Sequence, residues 1–187
     1  MVKAMENSDG AYAGICNGFC VADSYKYGDK FGFRQKAYFD SLSDVVTDNV
    51  KLHKMLLYRN CIFAPCVIYR RKLFEIVGLH DEDVPFEDYD YWLKMTKFTA
   101  FYPIRKDLVL YRESVNSLSR GLENSLKILI GEMLSKCKYL DEKKAIEVKK
   151  SLICKCENEG INGAIDKINN AYERIMTEKR QGVFECK

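Results

Sequence analysis

Apolar side chains recur every three or four positions through the last third of the chain. The first stripe comprises Leu122, Leu126, Leu129, Met133, Cys137 and Leu140. Two further stripes follow within residues 145–156 and 161–175. Because a step of three or four residues keeps side chains on one face of a helix, the pattern predicts three helices. Their short connections favour a small antiparallel bundle. The lysines and glutamates on the outer faces of these helices are interpreted as solvated surface.

The first 120 residues mix patterns typical of strands with patterns typical of helices. Runs of β-branched and aromatic residues indicate strands, and apolar residues at helical spacing indicate helices. The expected positions are strands near 11–23, 61–69 and 100–111, and helices near 47–58, 71–77 and 88–98. The third strand is expected as two short extended pieces around Pro103. The sequence thus predicts an α/β domain over residues 1–120, followed by a helical C-terminal extension over 121–187.

Composition and charge are those of a folded globular protein. Of the 187 residues, 47% are hydrophobic and 30% are charged, which argues against disorder. The 30 basic and 27 acidic residues leave a net charge of +3 and form no basic patch, so a nucleic-acid partner is not expected. No apolar run approaches the roughly 20 residues that a membrane span requires, so no transmembrane segment is predicted.

The eight cysteines do not indicate a metal site. They include no C-x-x-C pair, and His53 and His80 are adjacent to no cysteine pair, so a structural zinc ion is not predicted. The first residues show no secretory signal, which favours a cytoplasmic location. The thiols are therefore expected to be reduced and mostly buried.

The stretch "PFEDYDYWLKM" (residues 85–95) joins three acids to the only tryptophan of the chain. Glu87, Asp88 and Asp90 could be first-turn acids of a helix, which is a common arrangement. A carboxylate that accepts a proton during catalysis is the alternative. Trp92 lies on the apolar face of the predicted helix, so core packing is its simplest role.

A series of motifs surrounds this stretch in a fixed order. A strand ending in Arg-Arg leads to a helix, a "GLHDE" turn, the acidic "EDYDYWL", and finally "YRESVNSLS". This order resembles the second, acceptor-side half of a family 2, GT-A type glycosyltransferase. The resemblance spans roughly residues 1–120 and does not cover 121–187. It implies a partial GT-A fold with a mixed sheet.

The resemblance also implies an activity and a site. Enzymes of this family transfer a sugar from a nucleotide diphosphate to an acceptor hydroxyl, such as that of a glycan, with inversion. By similarity the catalytic base is Asp88, with Glu87 as its close competitor. A helix N-terminus would hold this carboxylate and keep its pKa low. Asp90 would be a supporting hydrogen-bond acceptor, and Trp92 would line the acceptor pocket or fill the core. Arg112 would bind a phosphate of the substrate or pair with one of the acids.

The sequence departs from the family pattern in two ways. The nucleotide-binding half with its metal-binding D-x-D motif is missing, so the chain resembles the latter part of a longer protein. Residues 81–83 spell D-x-D but precede the base, and we interpret them as turn acids. Ser114 occupies a place where many relatives carry a histidine near the metal. No cofactor is expected in this chain, whereas Mg²⁺ or Mn²⁺ and the sugar nucleotide are expected in the complete enzyme.

Two other functions remain open at this stage. The chain could be a non-catalytic carbohydrate- or protein-binding module derived from a glycosyltransferase, which the missing donor half would favour. It could also be a helical scaffold acting through residues 121–178. Under the transferase hypothesis, the isolated chain should bind no sugar nucleotide and show no activity. Its incomplete sheet should leave an apolar edge that favours self-association.

Overall fold

The structure is a computed structural model and describes residues 1–22, 34–36, 43–82, 84–85, 87–114 and 122–184. These residues form a mixed α/β protein that divides into two compact units. The sheet unit comprises Met1–Leu79 and Tyr91–Arg120, and the helical unit comprises His80–Asp90 and Gly121–Lys187. The acidic stretch is therefore divided, because its first residues belong to the helical unit and its last residues to the sheet unit.

Four described strands form the sheet. They are β1 (Ala13–Ala22), β2 (Arg34–Lys36), β3 (Val67–Tyr69) and β4 (Phe101–Glu113). Strand β1 is central, since it pairs antiparallel with β2 and β3 and parallel with β4. The sheet is thus mixed, as the sequence predicted.

Strand β4 is one continuous element, so the prediction of two short pieces around Pro103 was wrong. Pro103 pairs with Ile15 of β1, and the register shifts just beyond, between Cys16 and Gly18. Proline removes one ladder donor but is tolerated in an edge strand. Among the described strands β4 pairs only with β1. Arg105 and Lys106 are skipped at the first of these register shifts, between the pairs Cys16–Ile104 and Asn17–Asp107, so they form a bulge within the strand.

The strand predicted near 61–69 is shorter than expected. Within this range only Val67–Tyr69 forms a strand, and a 3₁₀-helix over Ala64–Cys66 precedes it. Pro65 lies in the first turn of that helix. Its ring fixes φ and it has no N–H to donate to a ladder, so the extended run begins after it. Cys61 and Ile62 remain buried, which is why the run looked like a core strand in the sequence.

The predicted helices before residue 100 are present. The helices here are α1 (Val2–Glu6), α2 (Ser43–Val46), α3 (Asn49–Tyr58), α4 (Lys72–Val77) and α5 (Glu87–Met95). Asp48 caps α3, since its side chain accepts a hydrogen bond from the Lys51 N–H at 3.0 Å. Gly78 ends α4 with a φ of 79°, a conformation that favours glycine.

Three helices follow residue 121 as predicted. They are α6 (Leu122–Tyr139), α7 (Glu142–Asn158) and α8 (Ile165–Arg180), the last preceded by a 3₁₀-helix at Asn162–Ala164. The end of α8 meets the start of α7, where Arg180 donates to Glu142 Oε1 at 2.7 Å. Helix α7 therefore runs antiparallel to α8. The shared core comprises Ile130, Met133, Leu134, Cys137, Ala145, Leu152, Cys156, Ala164, Ile168, Tyr172, Ile175 and Met176.

Six cysteines whose side chains the structure describes are free thiols, and all of them except Cys154 are buried. The buried ones are Cys16, Cys61, Cys66, Cys137 and Cys156. Burial raises the pKa of the Cys61 and Cys137 thiols to about 11, so both are protonated at neutral pH and pack as small apolar groups. Among the helices that the structure describes, none combines the length and the apolar character needed to cross a bilayer.

Candidate functional site

The acidic segment, defined as His80–Asp90, leads directly into α5. The Val84 N–H donates to the Asp81 carbonyl at 3.3 Å, which closes a turn ahead of the helix. Helix α5 begins at Glu87, so Glu87, Asp88 and Asp90 all lie in its first turn, where negative charge complements the helix dipole. The helix start is where the sequence placed it. The structure describes neither position 83 nor position 86, so Asp83 lies outside the described residues.

Asp88 is the half-buried member of the first turn. Its Oδ1 accepts a hydrogen bond from the Tyr89 N–H at 2.7 Å, whereas Glu87 is exposed. Burial raises the pKa of the Asp88 carboxyl, and the charge of Glu87 raises it further. The Tyr89 amide and His80 act in the opposite direction. The expected low pKa at this helix start was therefore wrong, because loss of water outweighs the favourable amides.

Asp90 is buried and faces a lysine of the same unit. Only 3% of Asp90 is exposed, and Nζ of the buried Lys138 on α6 lies 2.7 Å from its Oδ1. This contact is an ion pair between two buried side chains. The Lys138 ammonium also donates a hydrogen bond to Asp81 Oδ2, at 2.8 Å. Asp90 is thus engaged within the protein, and its role as a substrate contact stays a prediction.

Trp92 packs in the core of the sheet unit. It is 3% exposed, and its ring centroid lies 6.4 Å from that of Tyr69, 6.3 Å from Tyr91 and 6.2 Å from Phe101. Edge-to-face contacts of this kind are favourable arrangements for aromatic rings. Its indole N–H has no hydrogen-bond partner among the described residues. The burial agrees with the core alternative for Trp92.

Arg112 lies near the end of β4, where it pairs with Val21 of β1. Its side chain is exposed, and Ser114 follows directly after the strand. Arg112 belongs to the sheet unit and Asp88 to the helical unit. The predicted cleft shared by these two residues therefore stays a prediction.

Sequence reasoning missed Lys138. The lysines of the C-terminal helices were interpreted as solvated surface, yet Lys138 is 5% exposed. A signal existed, because Ile130 and Leu134 are buried and position 138 continues their four-residue spacing. Lys179 of α8 is a second exception, since its Nζ contacts the carbonyls of Cys137 and Leu140 at the end of α6.

Comparisons with known proteins identify no relative. The chain gives no significant match to a protein-family model, to a curated protein or to a solved structure. Among the described residues, no group of three or more histidine, cysteine or acidic side chains is arranged to hold a metal ion. The Mg²⁺ or Mn²⁺ expected in the complete enzyme stays a prediction. The glycosyltransferase resemblance stays a prediction that rests on the order of the sequence motifs.

Proposed function

We propose that the chain is the acceptor-side part of an inverting glycosyltransferase of family 2, GT-A type, with Asp88 as the general base. The placement of Asp88 carries the proposal. Its carboxyl is half-buried in the first turn of α5, and burial raises its pKa. A base whose pKa lies nearer to neutral accepts a proton more effectively, and active sites commonly raise carboxyl pKa values in this way.

In the proposed reaction, the acceptor hydroxyl oxygen attacks the anomeric carbon of the donor sugar. The bond from that carbon to the nucleotide diphosphate breaks on the opposite face, which inverts the configuration. The hydroxyl proton passes to the carboxylate of Asp88 as the new bond forms. Glu87 is the weaker candidate because its exposed side chain is solvated. No step assigned to these residues depends on a metal.

The fold supports the proposal at a coarse level. The sheet is mixed, and the chain order β3, α4, acidic segment, α5 and β4 follows the order of the family motifs. The donor half, the metal and the sugar nucleotide come only from the resemblance. They belong to the proposal for the complete enzyme.

A non-catalytic binding module is the second candidate. The contacts that Asp90 and Trp92 make within the protein favour it. Asp90 is buried against Lys138, and Trp92 is packed among aromatic rings. Two of the expected substrate contacts are thus occupied by the protein itself. A binding module derived from a glycosyltransferase could keep this fold and the buried Asp90 without catalysing sugar transfer.

The decisive experiment compares Asp88→Asn with Glu82→Gln in the longest chain that the coding sequence provides. Sugar nucleotides are screened for transfer and hydrolysis in both variants and in the unaltered protein. The loss of Asp88 should reduce kcat by on the order of 10²–10⁴, the usual contribution of a general base. Glu82 is exposed and loses the same charge, so its variant should retain full activity. Full activity of Asp88→Asn with loss in Glu87→Gln would transfer the role to Glu87.

The isolated chain provides a second test. Most of the affinity for a sugar nucleotide comes from its diphosphate and base, which the missing half would bind. Titration calorimetry should therefore detect no saturable binding below roughly 1 mM, about 4 kcal/mol. Light scattering on the same samples should detect self-association. Micromolar binding by a monomer would show that the donor site is in this chain and would contradict the proposal.

A further inference from the structure

Helix α6 contacts the acidic segment at both of its ends. Lys138 donates to Asp81 Oδ2 at 2.8 Å near the start of the segment. The same ammonium lies 2.7 Å from Asp90 Oδ1 at its end. The Lys138 side chain thus links the start of the segment to its end. Asp88 lies between these two contacts in sequence.

A glycine of the same helix lets the middle of the segment approach. A Cβ atom added to Gly131 would lie 1.9 Å from the Pro85 carbonyl oxygen, so any side chain there would displace the backbone. Gly131 and Lys138 are seven positions apart, which is two helical turns and hence one face. On that face Ser135 is buried and donates to the Gly131 carbonyl at 2.7 Å. Helix α6 therefore meets the segment at two places on one face, at Gly131 and at Lys138.

The contact between α6 and the acidic segment depends on the positive charge of Lys138, because that charge faces the carboxylates of Asp81 and Asp90. Asp90 and Lys138 are 4% and 3% exposed in their side chains, and Asp81 is 29% exposed. Removal of the ammonium would leave Asp90 as a buried carboxylate beside a second acid. Such a group must take up a proton or move into water. Movement of Asp90 would displace the first turn of α5, which carries Asp88.

We propose that Lys138 is a positioning residue for Asp88, holding the acidic segment on α6 so that the Asp88 carboxyl stays partly withdrawn from water. The inference rests on the proposed function, which gives Asp88 its role. Lys138 touches no reacting atom in this account. It acts through Asp81 and Asp90, while Glu87 and His80 are the titratable side chains that act on Asp88 directly.

The test measures the titration of Asp88 by carboxyl ¹³C NMR in the full 187-residue chain. In Lys138→Met the midpoint should fall toward the ordinary value of 3.8, because the released carboxyl regains water. The direction is informative, since the loss of a neighbouring positive charge alone would raise the midpoint. The Tyr89 amide should exchange roughly tenfold faster or more, equivalent to about 1.4 kcal/mol. Lys138→Arg should restore much of both values.

Two further variants separate positioning from general stability. Lys179→Met removes a partly buried lysine from the same bundle, one whose Nζ contacts the carbonyls of Cys137 and Leu140. It should lower the stability of the bundle and leave the Asp88 titration unchanged. Asp81→Asn keeps the Lys138–Asp90 pair and loosens one end, so it should shift Asp88 less than Lys138→Met. Asp81→Asn also serves as the test if Lys138→Met does not fold.

An unchanged or raised Asp88 midpoint in Lys138→Met would overturn the proposal, as would an equal shift in Lys179→Met. If Lys138→Met does not fold, an unchanged midpoint in Asp81→Asn would have the same meaning. These readouts need no donor, acceptor or activity. A failure of the proposed function would appear separately, as full activity of Asp88→Asn in the transfer assay.

Discussion

Two neighbouring residues of α5 are equally buried for opposite reasons. Asp90 and Trp92 are each 3% exposed. Asp90 is buried in the helical unit because an ammonium from a distant part of the chain neutralises it. Trp92 is buried in the sheet unit because it adds apolar area to a cluster of rings. Helix α5 thus carries one residue that is buried in an ion pair and one that is buried among apolar rings.

The two kinds of burial differ in what they require of the sequence. Apolar burial is non-directional and scales with area, at roughly 25 cal/mol per Å², so several partners can satisfy it. A buried carboxylate needs one cation at one place, and the desolvation cost offsets much of the attraction. The aromatic core should therefore tolerate change gradually, and the ionic contact should fail when either partner is removed.

Truncation of Trp92 should have one of the two largest effects. Trp92→Ala removes a large buried ring, and such changes cost about 3–5 kcal/mol of unfolding free energy. Urea denaturation followed by far-UV circular dichroism measures the change, since the variant lacks tryptophan fluorescence. Tyr58 is 82% exposed, so Tyr58→Ala should change the stability by less than about 0.5 kcal/mol. Equal losses in both variants would contradict a core role for Trp92.

A double-mutant cycle at Lys138 and Asp90 tests the buried ion pair between them. Lys138→Met strands a buried charge and should cost about 3–5 kcal/mol in the same denaturation assay. Lys138→Met combined with Asp90→Leu replaces the pair by apolar groups and should recover most of that loss. Strictly additive losses would mean that the two side chains are not coupled. Lys144→Met, at a largely exposed pair with Asp141, should cost at most about 1 kcal/mol.

The same contrast explains which parts of the molecule could be predicted. Helices α6, α7 and α8 follow apolar periodicity, which is a local property and can be read directly. The start of α5 was also placed, because first-turn acids indicate it locally. The Lys138 contact depends on a tertiary approach between positions far apart in sequence. From periodicity alone, Lys138 is predicted to be solvent-exposed like the other lysines of these helices.

Local exceptions account for most of the remaining differences. Pro65 converts part of an apolar run into a 3₁₀-helix, although composition alone indicates a strand. Pro103 is accommodated within β4, which pairs with a single described strand. The pKa direction of Asp88 depends on burial, which sequence does not report. The sequence predicts that the helix dipole lowers the pKa of Asp88. It does not predict the burial, which raises that pKa by more.

A smaller effect is expected at the contact between α6 and the acidic segment. Gly131→Ala introduces a Cβ against the Pro85 carbonyl, and overpacking of this kind costs about 1–3 kcal/mol. Gly163→Ala is the matched control, because no heavy atom lies within 4 Å of its added Cβ. Thermal unfolding of both variants measures the difference. A Gly131→Ala protein as stable as the control would mean that the segment does not contact α6 closely.

The smallest effect concerns pH and compares two aspartates at helix starts. Burial raises the pKa of Asp88, so the folded state retains a proton that the unfolded state has lost. Stability from this group therefore falls as pH rises through the window above 3.8, and the group is unfavourable at neutral pH. Asp88→Asn should be more stable than the unaltered chain at pH 7, with the difference disappearing in acid. The contribution of the partly exposed Asp48 to stability has the opposite sign, because the Lys51 N–H lowers the pKa of its carboxyl. Its contribution is present above pH 3.8 and is lost as pH falls, so Asp48→Asn should be less stable than the unaltered chain at pH 7.

Urea denaturation of both variants between about pH 3 and pH 7 tests the signs of the two stability changes. Equal signs in the two variants would show that Asp88 is as well solvated as an ordinary helix cap.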